Sequence, residues 1–237
     1  MSGHSKWSTI KRKKEKTDAQ RAKIFTKIGR ELAVSVKEGG ADPSINAKLR
    51  DCVAKAKANN VPNDNIERII KKAAGGDGSD FEDITYEGYG PSGVAIIVET
   101  LTDNRNRTAG NIRHYFSKYG GNLGSTGCVS FMFSEKGIIV VDSEDVDGSL
   151  LEEDAIEAGA NDISNDDDCV IIYTEKEDYE NVYKYLASKG YKVISSEIGM
   201  VPDNYVSLSQ EEENKVNVLL DILEEDEDIK SVWHNLK

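Results

Sequence analysis

Apolar residues recur at spacings of three and four over three successive stretches near the start of the chain, and then the rhythm changes. Ile24, Phe25, Ile28, Leu32 and Val36 form the first stripe, which predicts an amphipathic helix stopped by Gly39-Gly40. Thr17-Asp18-Ala19-Gln20 opens it as a capping box, in which the Thr17 hydroxyl and the Gln20 side chain each serve the other's backbone amide. Asp42-Pro43 reads as the cap and first residue of a second helix, with Ile45, Leu49, Cys52, Val53 and Ala56 inward. A third follows Pro62, with Asp64 and Glu67 spaced as a cap pair, Ile66, Ile69, Ile70 and Ala73 inward, and Gly75-Gly76 at its end. Three short helices with three stripes predict a small all-α domain.

After residue 76 the period shortens to that of strands. Residues 84–90 and 94–102 read as a hairpin joined by Gly90-Pro91-Ser92-Gly93. A helix over 107–119 turns Ile112, Tyr115, Phe116 and Tyr119 inward, and 129–133 reads as a strand. Residues 137–195 then alternate as strand, helix, two strands, helix and strand, the β-α-β-β-α-β order of a ferredoxin-like unit. A strand over 205–208, a helix opened by Ser209-x-x-Glu212 and a short strand at 231–234 complete the chain. The expected fold class is α+β: a small three-helix domain followed by two α/β domains, at least one ferredoxin-like. The expected boundaries are 1–76 for the helical domain, 77–134 plus 200–237 for a discontinuous α/β domain, and 135–199 for a domain inserted in it.

Charge changes the picture more than composition does. The net −13 hides a split: residues 1–75 carry +10 and the remainder −23. Such asymmetry points to an anion-binding module joined to acidic domains, with nucleic acid as the expected partner. Lys6, Lys11, Arg12, Lys13, Lys14 and Lys16 make a basic arm with almost no apolar periodicity. Lys23, Lys27, Arg30 and Lys37 lie about 160° from the first apolar stripe at 100° per residue. A helix with its core on one side and cations on the other can lie along a phosphate backbone. Lys48, Arg50, Lys55 and Lys57 add charge on the second helix. The expected phosphate contacts are Lys6, Lys11, Arg12, Lys13, Lys14, Lys16, Lys23, Lys27, Arg30, Lys48 and Lys55. The bland alternative is a solvated cationic surface, or one that docks on the protein's own acidic parts.

Thr102-Asp103-Asn104-Arg105-Asn106-Arg107-Thr108 sits between a strand and a helix, where Arg105 and Arg107 offer a second anion contact beside helix-start amides. Plain cap chemistry explains it equally well. Gly88-Tyr89-Gly90-Pro91-Ser92-Gly93 matches G-x-G-x-x-G, but a strand follows it, so it reads as a hairpin connection and not a dinucleotide site. Gly121-Asn122-Leu123-Gly124-Ser125-Thr126-Gly127 lacks the Gly-Lys-Ser/Thr of a phosphate loop and reads as mobile. Residues 142–154 resemble a calcium loop only faintly, with Ser143 first and Asp154 last. Phe131 and Phe133 stand on one strand face, where core packing is preferred to base stacking.

Cys52, Cys128 and Cys169 are scattered without a Cys-x-x-Cys, and His4, His114 and His234 are equally dispersed, so neither a metal site nor a cofactor is expected. With no nucleophile–base pair visible, a non-enzymatic protein is expected. The longest apolar runs are strand-length, and the first residues hold no apolar h-region, so the expected location is the cytoplasm and no membrane is involved.

Four motifs in order add a resemblance. Ser2-Gly3-His4-Ser5-Lys6-Trp7, Gly39-Gly40-Ala41-Asp42-Pro43, Tyr86-Glu87-Gly88-Tyr89-Gly90-Pro91 and Thr102-Asp103-Asn104-Arg105-Asn106-Arg107-Thr108 closely resemble the YebC/PmpR family along the whole chain. The resemblance implies one helical and two α/β domains and a DNA-binding transcriptional regulator. Relatives that include a mitochondrial translational activator imply instead the ribosome, with ribosomal or transfer RNA as partner. The chain starts directly at the first motif, without an organelle-targeting extension, which suits a bacterial protein. From a different class, an adaptor whose acidic domains bind a basic protein would fit the charge split without nucleic acid.

Overall fold

A computed structural model describes residues 18–237 except 77–79, 145 and 167, and the side chains of residues 18–21 are likewise outside the described set. The basic arm, the Thr17 capping box and Asp145 therefore lie outside the described residues. The described chain forms two compact units: residues 18–129 with 209–232, and residues 130–208 with 233–237.

The first unit begins with three helices, α1 (Asp18–Gly39), α2 (Ala47–Ala58) and α3 (Asn63–Ala74). Ile28, Leu32, Val36, Leu49, Ala56, Ile66 and Ala73 make their shared core, so the predicted stripes do face one another. The second helix starts later than expected. Asp42 and Pro43 form a separate turn, and Asn46 is the true cap, its side chain accepting from the Leu49 amide. The same buried side chain donates to the Ser35 and Gly40 carbonyls, which fixes the interhelical turn and leaves Ile45 80% exposed instead of inward. Helix α3 is entered at Pro62 with no side-chain cap bond, so Asp64 sits in its first turn and favours the positive end of the helix.

The same unit continues as β1 (Glu82–Tyr89), β2 (Ala95–Thr102), α4 (Arg105–Lys118) and the two-residue β3 (Asn122–Leu123), then returns through α7 (Gln210–Glu225) to β8 (Ile229–His234), of which residues 229–232 belong to this unit. The sheet order is β3-β1-β2-β8. Strands β1 and β2 pair antiparallel from Glu82↔Thr102 to Tyr89↔Ala95, so the glycine-rich connection is a hairpin with a 3-10 turn at Pro91–Gly93. Helices α4 and α7 cover one sheet face. A Cβ on Gly88 would lie 2.9 Å from Phe116 of α4 and 2.6 Å from the Asn122 carbonyl, which explains the glycine there. The Glu212 carboxylate accepts from both the amide and the hydroxyl of Ser209, the expected opening of α7.

The second unit contains β4 (Phe133–Asp142), α5 (Gly148–Ala158), β5 (Asp162–Asn165), β6 (Cys169–Thr174), α6 (Tyr179–Ser188) and β7 (Val193–Pro202). Its all-antiparallel order β5-β6-β4-β7 is the ferredoxin-like arrangement. Ile139, Val141, Leu151, Ala155, Val170, Ile172, Val182 and Leu186 fill the space between sheet and helices. Two strands run longer than the sequence suggested, because β4 and β7 pair from Phe133↔Pro202 onward. The expected strand at 129–133 is instead a 3-10 turn, Ser130–Met132, which leaves Phe131 74% exposed while Phe133 is buried. The expected strand at 205–208 is reduced to one parallel bridge, Val206↔Leu236.

Candidate nucleic-acid interface

The cations of α1 face away from its apolar stripe, as helical spacing demands, and there they meet acid. Lys23 lies 3.6 Å from the Glu225 carboxylate. Lys27 Nζ donates to the Glu224 carbonyl at 2.6 Å. Arg30 donates to the Glu227 carbonyl at 2.8 Å and to Asp228 Oδ1 at 2.7 Å, and its guanidinium stands over the Phe81 ring. All these acceptors belong to one corner, residues 224–228 between α7 and β8. On α2 and the face of α1 toward it, Lys48 pairs with Glu38 at 2.6 Å and Lys55 with Glu31 at 2.8 Å. Lys57, Lys71 and Lys72 are exposed and make no ion pair with another described residue. Lys6, Lys11, Arg12, Lys13, Lys14 and Lys16 lie outside the described residues.

Asp228 is the centre of this corner. It is 4% exposed and accepts from Arg30, from Arg107 at 2.8 Å and from Thr108 Oγ1 at 2.7 Å. Burial pushes its carboxyl upward, but the bonds from Arg107, Thr108 and Arg30 outweigh it and hold Asp228 below the ordinary carboxylate value. Beside it, Tyr115 donates to Asp226, and burial together with that bond pushes the phenol up to about 12.

This corner also explains the Thr102–Thr108 motif. Asn104 caps α4 by accepting from the Arg107 amide, and Thr102 Oγ1 accepts from the Asn104 amide. Arg107 spans Asp103 and Asp228. The two arginines of the motif thus part company: Arg107 turns to Asp228, while Arg105 is exposed and makes no ion pair with a described carboxylate.

Sequence reasoning overlooked Glu87. Its buried carboxylate accepts from the amides of Gly127 at 2.8 Å and Val129 at 2.9 Å, and its own carbonyl accepts from Gly124. One side chain therefore fixes the end of the glycine-rich loop. A charged residue at a strand position inside a glycine-rich motif was the available signal. Glu87→Ala leaves the buried Val129 amide and the part-buried Gly127 amide without an acceptor, and is expected to cost about 1–3 kcal/mol by chemical denaturation, with Glu87→Gln losing roughly half of that. Unchanged stability in Glu87→Ala would mean that water replaces the carboxylate.

Among the described residues no cluster of His, Cys, Asp and Glu has metal-holding geometry, and no helix is long and apolar enough to cross a membrane. Asp147 of the weak calcium-loop match instead caps α5, and Asp142 pairs with Lys192 at 2.6 Å.

Comparison with known proteins matches the chain in two parts. Residues 5–76 match the family described as the TACO1/YebC protein N-terminal domain, and residues 81–236 match that described as the TACO1/YebC second and third domain. A curated relative from Hathewaya histolytica, "Probable transcriptional regulatory protein ORF2U", is 54% identical over 99% of this chain and 96% of its own. One from Caldicellulosiruptor bescii, "Probable transcriptional regulatory protein", is 54% identical over 99% and 98%. A solved structure, that of a conserved hypothetical protein, Aq1575, from Aquifex aeolicus, superposes with a TM-score of 0.86 at 44% identity over 94% of this chain and 92% of that one. With helical and α/β parts both matched, the chain belongs to the TACO1/YebC family.

Proposed function

We propose that the protein is a non-catalytic regulator of gene expression that holds nucleic acid through residues 1–76. The carrying observation is the charge split, +10 in residues 1–75 against −23 in the rest, with five cations between Lys11 and Lys16 alone. The names of the relatives, probable transcriptional regulatory proteins, support a regulatory role, and for such a role DNA is the first target to test. The arm residues Lys6, Lys11, Arg12, Lys13, Lys14 and Lys16 supply the primary phosphate contacts, joined by the exposed Lys57, Lys71 and Lys72. Lys23, Lys27, Arg30, Lys48 and Lys55 contribute only where phosphate replaces an acceptor they already have.

Lysine predominates in this set. Point charges hold phosphates but read base edges poorly, whereas bidentate Arg, Asn or Gln specify sequence. That preference for backbone contact favours a second reading, a ribosome-associated factor that recognises RNA by shape. Crosslinking in cells, followed by sequencing of the attached nucleic acid, separates the two. Discrete promoter DNA establishes a transcriptional regulator. Ribosomal or transfer RNA establishes a translation factor. Recovery of protein partners without nucleic acid sinks both in favour of the acidic adaptor.

A further inference from the structure

One helix of the acidic part has the wrong charge for its surroundings. Residues 76–237 contain 12 Lys and Arg against 35 Asp and Glu, yet α4 carries Arg105, Arg107, Arg113 and Lys118 and no carboxylate. Of the eight cations elsewhere in the same stretch, six, Lys136, Lys176, Lys184, Lys189, Lys192 and Lys215, are each held by an acidic neighbour, and Lys230 and Lys237 make no ion pair with a described carboxylate. On α4 only Arg107 is so held, while Arg105, Arg113 and Lys118 make no ion pair with a described carboxylate. Arg105 moreover sits at the first position of the helix, where the backbone dipole disfavours a cation.

Gly110 is a second and independent sign. It lies mid-helix, is exposed, and a Cβ added there would meet nothing within 4 Å. Glycine weakens a helix interior relative to alanine, and nothing among the described residues requires it here. A smooth point on an exposed helix face permits close approach by another molecule's backbone. Asn106, Gly110, Arg113 and Ser117 fall within about 60° of one another around the helix, so the bare glycine shares its strip with a free arginine. On β1 beside α4, Tyr86 has a buried hydroxyl with no hydrogen-bond partner among the described residues, and Arg105 and Arg113 are near enough for their charges to favour its ionised form against the effect of burial. Glu82 is the one carboxylate acting on the same hydroxyl.

We infer that α4 is a second nucleic-acid contact that seats the sugar-phosphate backbone, with Arg105 at its first position and Asn106, Gly110 and Arg113 on its outer strip. Arg105 and Arg113 are eight residues apart, about 12 Å along the helix, which spans roughly three to four phosphates of one strand. Gly110 lies between them along the helix axis, about 60° around it from Arg113. The inference rests on the proposed nucleic-acid function and extends it to a surface outside residues 1–76.

The test compares the full chain with Arg105→Ala/Arg113→Ala and with Gly110→Ala, using short duplex DNA and single-stranded RNA across about 50–200 mM salt. Losing two phosphate contacts should lower the slope of log K on log salt by about 1.8 on duplex or 1.4 on single strands, and affinity on the order of 50-fold at 0.1 M. The melting temperature of the double variant should not fall. Gly110→Ala should melt higher and still bind more weakly, a combination that a merely structural glycine does not produce. Whichever polymer shows the loss identifies the ligand. Wild-type affinity of the double variant on both polymers overturns the inference. If neutralising Lys11 to Lys14 still abolishes binding in that case, the function stands and only this surface falls. Failure of the unaltered chain to bind either polymer overturns both.

Discussion

Replacing Asp228 by alanine is expected to lower stability by about 2–4 kcal/mol, a fall in melting temperature of roughly 10 °C. The carboxylate is 4% exposed and serves two guanidiniums and the Thr108 and Thr102 hydroxyls, so its loss strands four donor groups. Arg107 is 45% exposed and hydrates readily once freed, whereas Arg30 at 18% does not, and that difference sets the range below the full cost of breaking a buried pair. Asp228→Asn keeps the shape and loses the charge, so a smaller fall is expected. The pH dependence has a definite sign. Because the folded carboxyl titrates below its ordinary value, the stabilisation is complete above the unfolded value of ~3.9 and is lost as pH falls through the folded one. Melting followed from pH 7 to below pH 4 should therefore fall more steeply for the wild type than for Asp228→Asn. Parallel curves would assign the acid sensitivity to other carboxylates.

How much of this was legible depends on how far apart in sequence the interacting groups are. The three helical stripes and the β-α-β-β-α-β order of the ferredoxin-like unit were readable because each rests on spacing within one element. The start of α2 was not, since Asn46 outcompetes Asp42-Pro43 by bonding backbone on both sides of the turn at once. Phe131 was misplaced for a similar reason: the 3-10 turn at 130–132 breaks the alternation that would have put it beside Phe133. The cation face of α1 was legible as a face, but its acidic partners lie about two hundred residues on, in Glu224 to Asp228. No local pattern joins the two. Arg107 is likewise 121 residues from Asp228, and that separation made the Thr102–Thr108 motif look like an anion site with two equivalent arginines. Once Arg107 is spent on Asp228, only Arg105 remains outward, and Arg113, which no motif singled out, becomes its companion.

Neutralising Lys11, Arg12, Lys13 and Lys14 to alanine together is expected to produce the largest change in binding. Each phosphate contact contributes about 0.9 to the salt slope on duplex DNA, so four contacts lower it by about 3.6 and weaken binding on the order of 10³-fold at 0.1 M salt. The loss should be uniform across sequences, since lysines at phosphates position a protein without reading bases. The contrast with α1 sharpens the expectation. Lys23, Lys27 and Arg30 already have acceptors in the acidic corner, so transferring them to phosphate only exchanges one anion for another and yields little net affinity. A triple alanine change at those three should therefore act chiefly on stability, and the four-residue change in the arm chiefly on binding. Anisotropy titrations over a salt series, read beside melting curves, separate the two effects. An arm variant that binds with unaltered slope would remove residues 11–14 from the interface and return the charge split to the adaptor reading, in which the acidic parts carry the function.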